Sequence, residues 1–297
     1  MNWHETRQFL SPCFPEPIRS ELEMLLPGEL REIRIRADKP TMFVTATRCA
    51  SLPWYPGRHQ LEGLIEALSE HSLYARANET GQGFLTLRGG HRMGLCGRVV
   101  KSDNQSVLND IGSVCIRIAG EWPGSADAVM NMFDHRQQSV LIIGAPGTGK
   151  TTMLRDLCRQ LASGKDALQV AVVDERSEIA ACCSGIPQLD VGLAADVLEG
   201  LPKAEAIPWL VRSMSPQVII TDELSGPEDA AAILDALGCG TSVCATVHGA
   251  SLQDAASRPA IASLMARRAF DLYAVLAPEG GGQIASLHDR TGNPVAL

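Results

Sequence analysis

The sequence predicts an α/β protein, with a mainly parallel sheet in the C-terminal part of the chain and a smaller α+β module before it. Beyond residue 125, short apolar runs of strand type alternate with amphipathic helical stripes, an order that produces right-handed crossovers and a ligand site at the strand carboxyl ends. Before residue 124 the pattern is mixed, combining a strict period-two run with a helical stripe. At 297 residues the chain also exceeds what one hydrophobic core usually organises. The turn-rich cluster Gly120-Glu121-Trp122-Pro123-Gly124-Ser125 is the natural boundary, which gives domains 1–124 and 125–297.

In chain order, the first expected element is a helix at 16–25. Glu32-Ile33-Arg34-Ile35-Arg36 then alternates as a strand, with arginines on one face and isoleucines on the other. Leu61, Leu64, Ile65 and Leu68 recur at helical spacing, and the glycine-punctuated segments 83–87 and 94–100 follow. In the second part, strands are expected at 140–143, 170–173, 218–220 and 242–247. Helices are expected where Leu154, Leu157, Cys158 and Leu161 form a stripe, at 204–214, and around Ala230, Ile233, Leu234 and Leu237.

Composition excludes several classes. A net charge of −8 speaks against a protein that coats itself in nucleic acid, because such binding is driven by phosphate neutralisation. Nine cysteines without a C-x-x-C pair suggest reduced, buried thiols rather than a disulfide framework. The first ten residues lack the apolar centre of a signal peptide, and no apolar run reaches about 18 residues. A role at a membrane would therefore need a partner as anchor.

Residues 144–151, Gly144-Ala145-Pro146-Gly147-Thr148-Gly149-Lys150-Thr151, match G-x-x-x-x-G-K-[ST] between an apolar strand and an amphipathic helix. The glycines let backbone N–H groups turn inward around an anion, and the helix adds its positive end. Lys150 is placed to reach the β- and γ-phosphates and Thr151 to ligate magnesium, with Thr152 continuing the nucleotide-binding stretch. Val218-Ile219-Ile220-Thr221-Asp222-Glu223 is a Walker B pattern. Asp222 would support Mg2+ through its water shell, and Glu223 would orient or deprotonate the attacking water.

A second strand ends in Asp174-Glu175, so Glu175 is an alternative base, and residue types alone do not choose between the two glutamates. His248 stands at a further strand end, where an imidazole can sense the γ-phosphate. The other six histidines show no metal spacing. Candidates for the arginine that completes such a site are Arg34, Arg36, Arg92, Arg98, Arg117, Arg212, Arg258, Arg267 and Arg268. These features describe a RecA-like P-loop NTPase domain that uses ATP and Mg2+.

The run 144–151, Asp174-Glu175-Arg176-Ser177-Glu178-Ile179-Ala180, Arg212-Ser213-Met214-Ser215-Pro216, Asp222-Glu223 and Thr246-Val247-His248-Gly249 together resemble the stage III sporulation protein AA family. The likeness extends into the first module through Glu32-Ile33-Arg34-Ile35-Arg36 and residues 89–98. It implies kinship with the motors of type II secretion and type IV pilus systems, whose Asp, Walker B and His boxes fall at these positions. It further implies action in the mother-cell cytoplasm on a complex linking mother cell and forespore. Anchoring would come from membrane proteins of the stage III complex, with no direct membrane insertion, and the active form would be a ring, hexameric in the related motors. The N-terminal module is implied to lend arginines to the nucleotide site. In one departure, Asp222-Glu223-Leu224-Ser225-Gly226 carries its glycine one position later than the expected Asp-Glu-Ile-Gly, although Glu228 and Asp229 follow in place.

Other classes remain in view. A nucleotide-gated scaffold that scarcely turns over would share every motif. A RecA-like nucleic-acid-handling ATPase would want basic loops or stacking platforms, which 4% aromatics and the negative charge disfavour. A small-molecule kinase would want an acceptor-binding lid between the motifs, and none is evident.

Overall fold

A computed structural model describes residues 3–45, 47–70, 83–102, 105–133 and 137–295. The chain divides into two compact units, one formed by residues 1–120 with 181–188 and the other by 121–180 with 189–297.

The first unit contains helices α1 (Trp3–Leu10), α2 (Glu16–Met24) and α3 (Arg58–Leu68). Its strands are β1 (Leu30–Arg36), β2 (Thr41–Thr45), β3 (Cys49–Leu52), β4 (Phe84–Thr86), β5 (Arg92–Ser102) and β6 (Gln105–Arg117), paired antiparallel in the order β3-β2-β1-β6-β5-β4. The alternation in β1 does what its period requires: Ile33 and Ile35 are fully buried while Arg34 and Arg36 lie on the other face. Leu61, Leu64, Ile65 and Leu68 of α3 join Ile18 and Leu22 of α2 in the same core.

The second unit begins with a short helix α4 (Asp127–Met130), strand β7 (Val140–Gly144), helix α5 (Lys150–Leu161) and strands β8 (Val170–Asp174) and β9 (Ala195–Glu199). There follow α6 (Lys203–Met214), β10 (Val218–Thr221), α7 (Pro227–Gly238), β11 (Ser242–His248), α8 (Leu252–Ala256), α9 (Pro259–Ala266), and strands β12 (Leu272–Leu276), β13 (Ile284–Asp289) and β14 (Pro294–Val295). The sheet order is β14-β13-β12-β7-β11-β10-β8-β9, parallel from β12 to β9 and antiparallel at the β13 and β14 edge. The architecture is thus an α/β P-loop domain preceded by a smaller α+β domain.

Every residue of β7, β8, β10 and β12 is buried, as continuous apolar strands of a parallel sheet covered on both faces should be. Strand β11 lies between β7 and β10, pairing His248 with Gly144 on one side and Ala245 with Thr221 on the other. The ends carrying 144–151, His248 and 222–223 are therefore adjacent.

The cysteine expectation holds in part. All nine are free, but Cys158, Cys182 and Cys244 alone are buried, whereas Cys49, Cys96 and Cys239 are exposed. The exposed ones sit on an edge strand, on a long hairpin strand and after a helix, where the sheet and helix faces leave them outside either core. Among the described residues, no helix is long and apolar enough to cross a membrane.

Candidate active site

The site starts from the turn between β7 and α5. Gly149 occupies the left-handed region (φ 102°) as the N-cap, and α5 begins at Lys150, so the helix N-terminus opens on the turn. The Thr148 hydroxyl donates to the Ala145 carbonyl at 2.8 Å and tightens the loop. Lys150 is 6% exposed; its ammonium donates to the same carbonyl at 3.0 Å and lies 3.2 Å from His248 Nδ1. Burial lowers the Lys150 pKa, and the charges of Asp222 and Glu223 oppose that shift.

Two hydroxyls hold Asp222. Thr151 Oγ1 donates to Asp222 Oδ2 at 2.6 Å, and the Thr246 hydroxyl donates to Oδ1. Glu223 follows with a left-handed backbone (φ 51°), an uncommon state for a residue with a side chain and a form of strain that collects at functional sites. Its N–H pays for this by donating to Asp222 Oδ1 at 2.9 Å and to Thr246 Oγ1 at 2.8 Å. The Glu223 carboxylate is engaged at both oxygens, by His248 Nε2 on Oε1 and by Arg176 Nη1 at 2.5 Å on Oε2. Burial would raise the Glu223 pKa. The His248 hydrogen bond and the charges of Arg176, His248 and Lys150 outweigh it and hold the carboxyl below its ordinary value.

Glu175 lines the same cleft as Asp222 and Glu223, together with Asp174, Arg176, Glu178 and Lys203. It stands outside the hydrogen-bonded network, because its carboxylate pairs with the nearly buried Lys203 at 2.6 Å. Its neighbour Asp174 accepts the N–H groups of Glu178, Ile179 and Ala180. Burial raises the Asp174 pKa despite those donors. Arg155, from α5, caps the same turn from its other side by donating to the Ile179 and Glu178 carbonyls at 2.5 and 2.7 Å.

Lys150, Thr151, Asp222, Glu223 and His248, all singled out from the sequence, thus converge. In the first unit, Arg34 and Arg117 pair with Glu32, and Arg92 lies over the Phe84 ring. Sequence reasoning missed Thr246 and Arg176, although both sit inside the motifs it quoted. It also missed Lys203, which has no motif to mark it. The shifted glycine after Walker B has a local role: Gly226 is the N-cap of α7, and Asp229 accepts from the Ser225 N–H, the Ser225 hydroxyl and the Gly226 N–H.

Comparison with known proteins gives the chain's family and its fold relatives. The family profile for sporulation stage III, protein AA matches residues 15–295. The stage III sporulation protein AA of Bacillus subtilis (strain 168) is 40% identical over 272 residues, which cover 89% of this chain and 88% of that protein. Among solved structures, the Legionella pneumophila ATPase DotB aligns with a TM-score of 0.59 at 16% identity, covering 88% of this chain and 76% of its own. The pilus retraction motor PilT with bound ADP aligns with a TM-score of 0.60 at 14% identity, covering 87% and 76%. At those identities the two structures establish a shared fold, while the match along nearly the whole sequence establishes kinship. The chain belongs to the sporulation stage III protein AA family.

Proposed function

We propose that this protein is a Mg2+-dependent ATPase that converts ATP and water to ADP and phosphate and passes the accompanying movement to a partner, as a motor of the secretion-ATPase class. The observation that carries the reading is the continuous network joining Lys150, His248, Glu223, Asp222 and Thr151 across adjacent strand ends. The backbone of 144–149, with Lys150 to Thr152, would hold the phosphates. The Thr151 hydroxyl and Asp222 carboxylate are hard oxygen donors side by side, a set that suits magnesium. When bound, the ion supplies charge neutralisation on the phosphate oxygens.

Glu223, kept ionised by its two partners, orients the attacking water or takes its proton. His248 touches both Lys150 and Glu223, so arrival of a phosphate at the lysine is felt by the carboxylate through one imidazole. Glu175 is the alternative base, with its pairing to Lys203 weighing against it.

Identity to the B. subtilis protein supports a place in sporulation, and the fold shared with a pilus retraction motor supports force production. The setting we infer is the mother-cell cytoplasm, with copies of the chain in a ring, six by analogy with the related motors, held at the membrane by proteins of the stage III complex. The test is direct. Purified protein hydrolyses ATP, Lys150→Ala abolishes nucleotide binding, and Glu223→Gln binds but does not turn over. Turnover no faster than that of Lys150→Ala, with the membrane partner present, overturns the motor reading. A non-hydrolysable ATP analogue should shift the measured mass to that of a ring.

One observation favours a second reading, a nucleotide-gated scaffold with little turnover. Both oxygens of Glu223 are engaged, so in this arrangement the carboxylate has no oxygen given over to water. Analogue-driven assembly without turnover would select it.

A further inference from the structure

The loop joining β12 to β13, residues 277–283, carries three consecutive glycines, Gly280, Gly281 and Gly282, all in the left-handed region (φ 84°, 75° and 73°). It closes on itself through the Ala277 N–H, which donates to the Gln283 carbonyl at 2.8 Å. The Gly282 N–H leaves the loop and donates to the Thr148 carbonyl at 3.0 Å, in the middle of the phosphate-binding turn. The approach is backbone on backbone. A Cβ on Gly149 would lie 2.9 Å from Gly282 N, and a Cβ on Gly280 would lie 3.5 Å from the Gly147 carbonyl oxygen.

The consequence follows from peptide geometry. In a phosphate-binding turn the N–H groups converge on the anion, so the carbonyls point away from it. Thr148 is 2% exposed, and its outward carbonyl therefore needs a protein donor. The Thr148 C=O and the Gly149 N–H belong to one planar trans peptide and point in opposite directions. Whatever holds that carbonyl from outside aims that N–H inward.

We propose that the 277–283 loop is a positioning element for nucleotide binding: by gripping the Thr148 carbonyl, Gly282 orients the Gly149 N–H toward the phosphate. This rests on the reading of residues 144–151 as a nucleotide site. The probe is Gly282→Ala. Its added Cβ meets nothing within 4 Å, so the substitution acts through the unfavourable φ alone. Gly164→Ala is the matched control, with φ 88°, nothing within 4 Å of its Cβ, and a place past the end of α5 away from the turn.

Fluorescent ATP and ADP analogues should bind Gly282→Ala about tenfold more weakly than wild type, the factor that a left-handed penalty on the binding-competent loop corresponds to. The control should bind like wild type. Both variants should lose similar thermal stability, and kcat at saturating ATP should be kept while KM rises. Wild-type affinity in Gly282→Ala, or equal weakening in both variants, overturns the proposal and leaves the nucleotide site standing. Absence of binding by the wild type overturns both. Should Gly282→Ala not fold, amide exchange on wild type decides: ADP should slow exchange at Gly149 and Gly282 together, and protection of Gly149 with none at Gly282 overturns the proposal.

Discussion

Strands β8 and β10 lie side by side and parallel, and each runs into Asp-Glu: Asp174-Glu175 from one, Asp222-Glu223 from the other. On β8 the aspartate turns back on its own chain to accept three backbone N–H groups, and the glutamate is neutralised by Lys203. On β10 the aspartate takes hydroxyls from two other segments, and the glutamate is gripped by His248 and Arg176 beside the Lys150 ammonium. The same dipeptide at the same kind of strand end thus builds a turn in one case and a network of side chains from several segments in the other. Partners brought by the rest of the fold decide which.

The strongest way to break this contrast is to remove the charge of each glutamate in turn. Glu223→Gln should lower kcat by roughly 10²- to 10⁴-fold, the usual contribution of a positioned base, while ATP binding is kept. Glu175→Gln should leave phosphate release close to wild type. A stall in Glu175→Gln with brisk turnover in Glu223→Gln would exchange the two roles.

The aspartates should differ in the opposite sense. Asp174→Ala strands the N–H groups of Glu178, Ile179 and Ala180, the last two buried, a loss on the order of 3 kcal/mol. In a domain of this size, that corresponds to a fall in Tm of roughly 6–12 °C. Asp222→Ala should abolish turnover with a much smaller fall, measured by the same melt. Equal losses would show that both acids are structural.

A finer test uses pH. In the proposed mechanism Glu223 acts ionised, and its carboxyl is held below its ordinary value, so the acid limb of the kcat/KM profile should lie low. Arg176→Ala removes one of the cations responsible. The carboxyl pKa then rises, and as pH falls activity should be lost at a higher pH than in wild type. An unmoved limb would show that Arg176 does not govern the base. The smallest effect is expected at the other pair: Lys203→Met leaves Glu175 partly exposed to water, so stability should change by only about 1 kcal/mol in chemical denaturation.

How far the sequence reveals this site depends on how local each contact is. The turn of residues 144–151 between β7 and α5 is legible because its glycines and Lys150-Thr151 keep a fixed spacing within one short segment. Asp222, Glu223 and His248 could be read because an apolar run followed by a polar residue marks a strand end. Thr246 holding Asp222, Lys203 neutralising Glu175 and Gly282 gripping Thr148 join residues that only the completed sheet brings together. Strand β12 was invisible for a related reason: Leu272-Tyr273-Ala274-Val275-Leu276 is as apolar as β7, but no motif points to its place beside that strand. In the first unit, Glu32-Ile33-Arg34-Ile35-Arg36 was legible from its alternation, whereas α1, with Glu5, Arg7 and Gln8 among its few apolar residues, gave no clear stripe.

Strand β11 sends Thr246 to Asp222 and His248 to Glu223 from the same face, two residues apart. The pleat fixes that interval at about 6.6 Å, whatever the side chains do. The strand is in effect a ruler laid between the two acids, Asp222, for which we propose a metal role, and Glu223, for which we propose a water-handling one. A slip of one residue would turn both side chains away together, so the two contacts stand or fall on a single hydrogen-bond register.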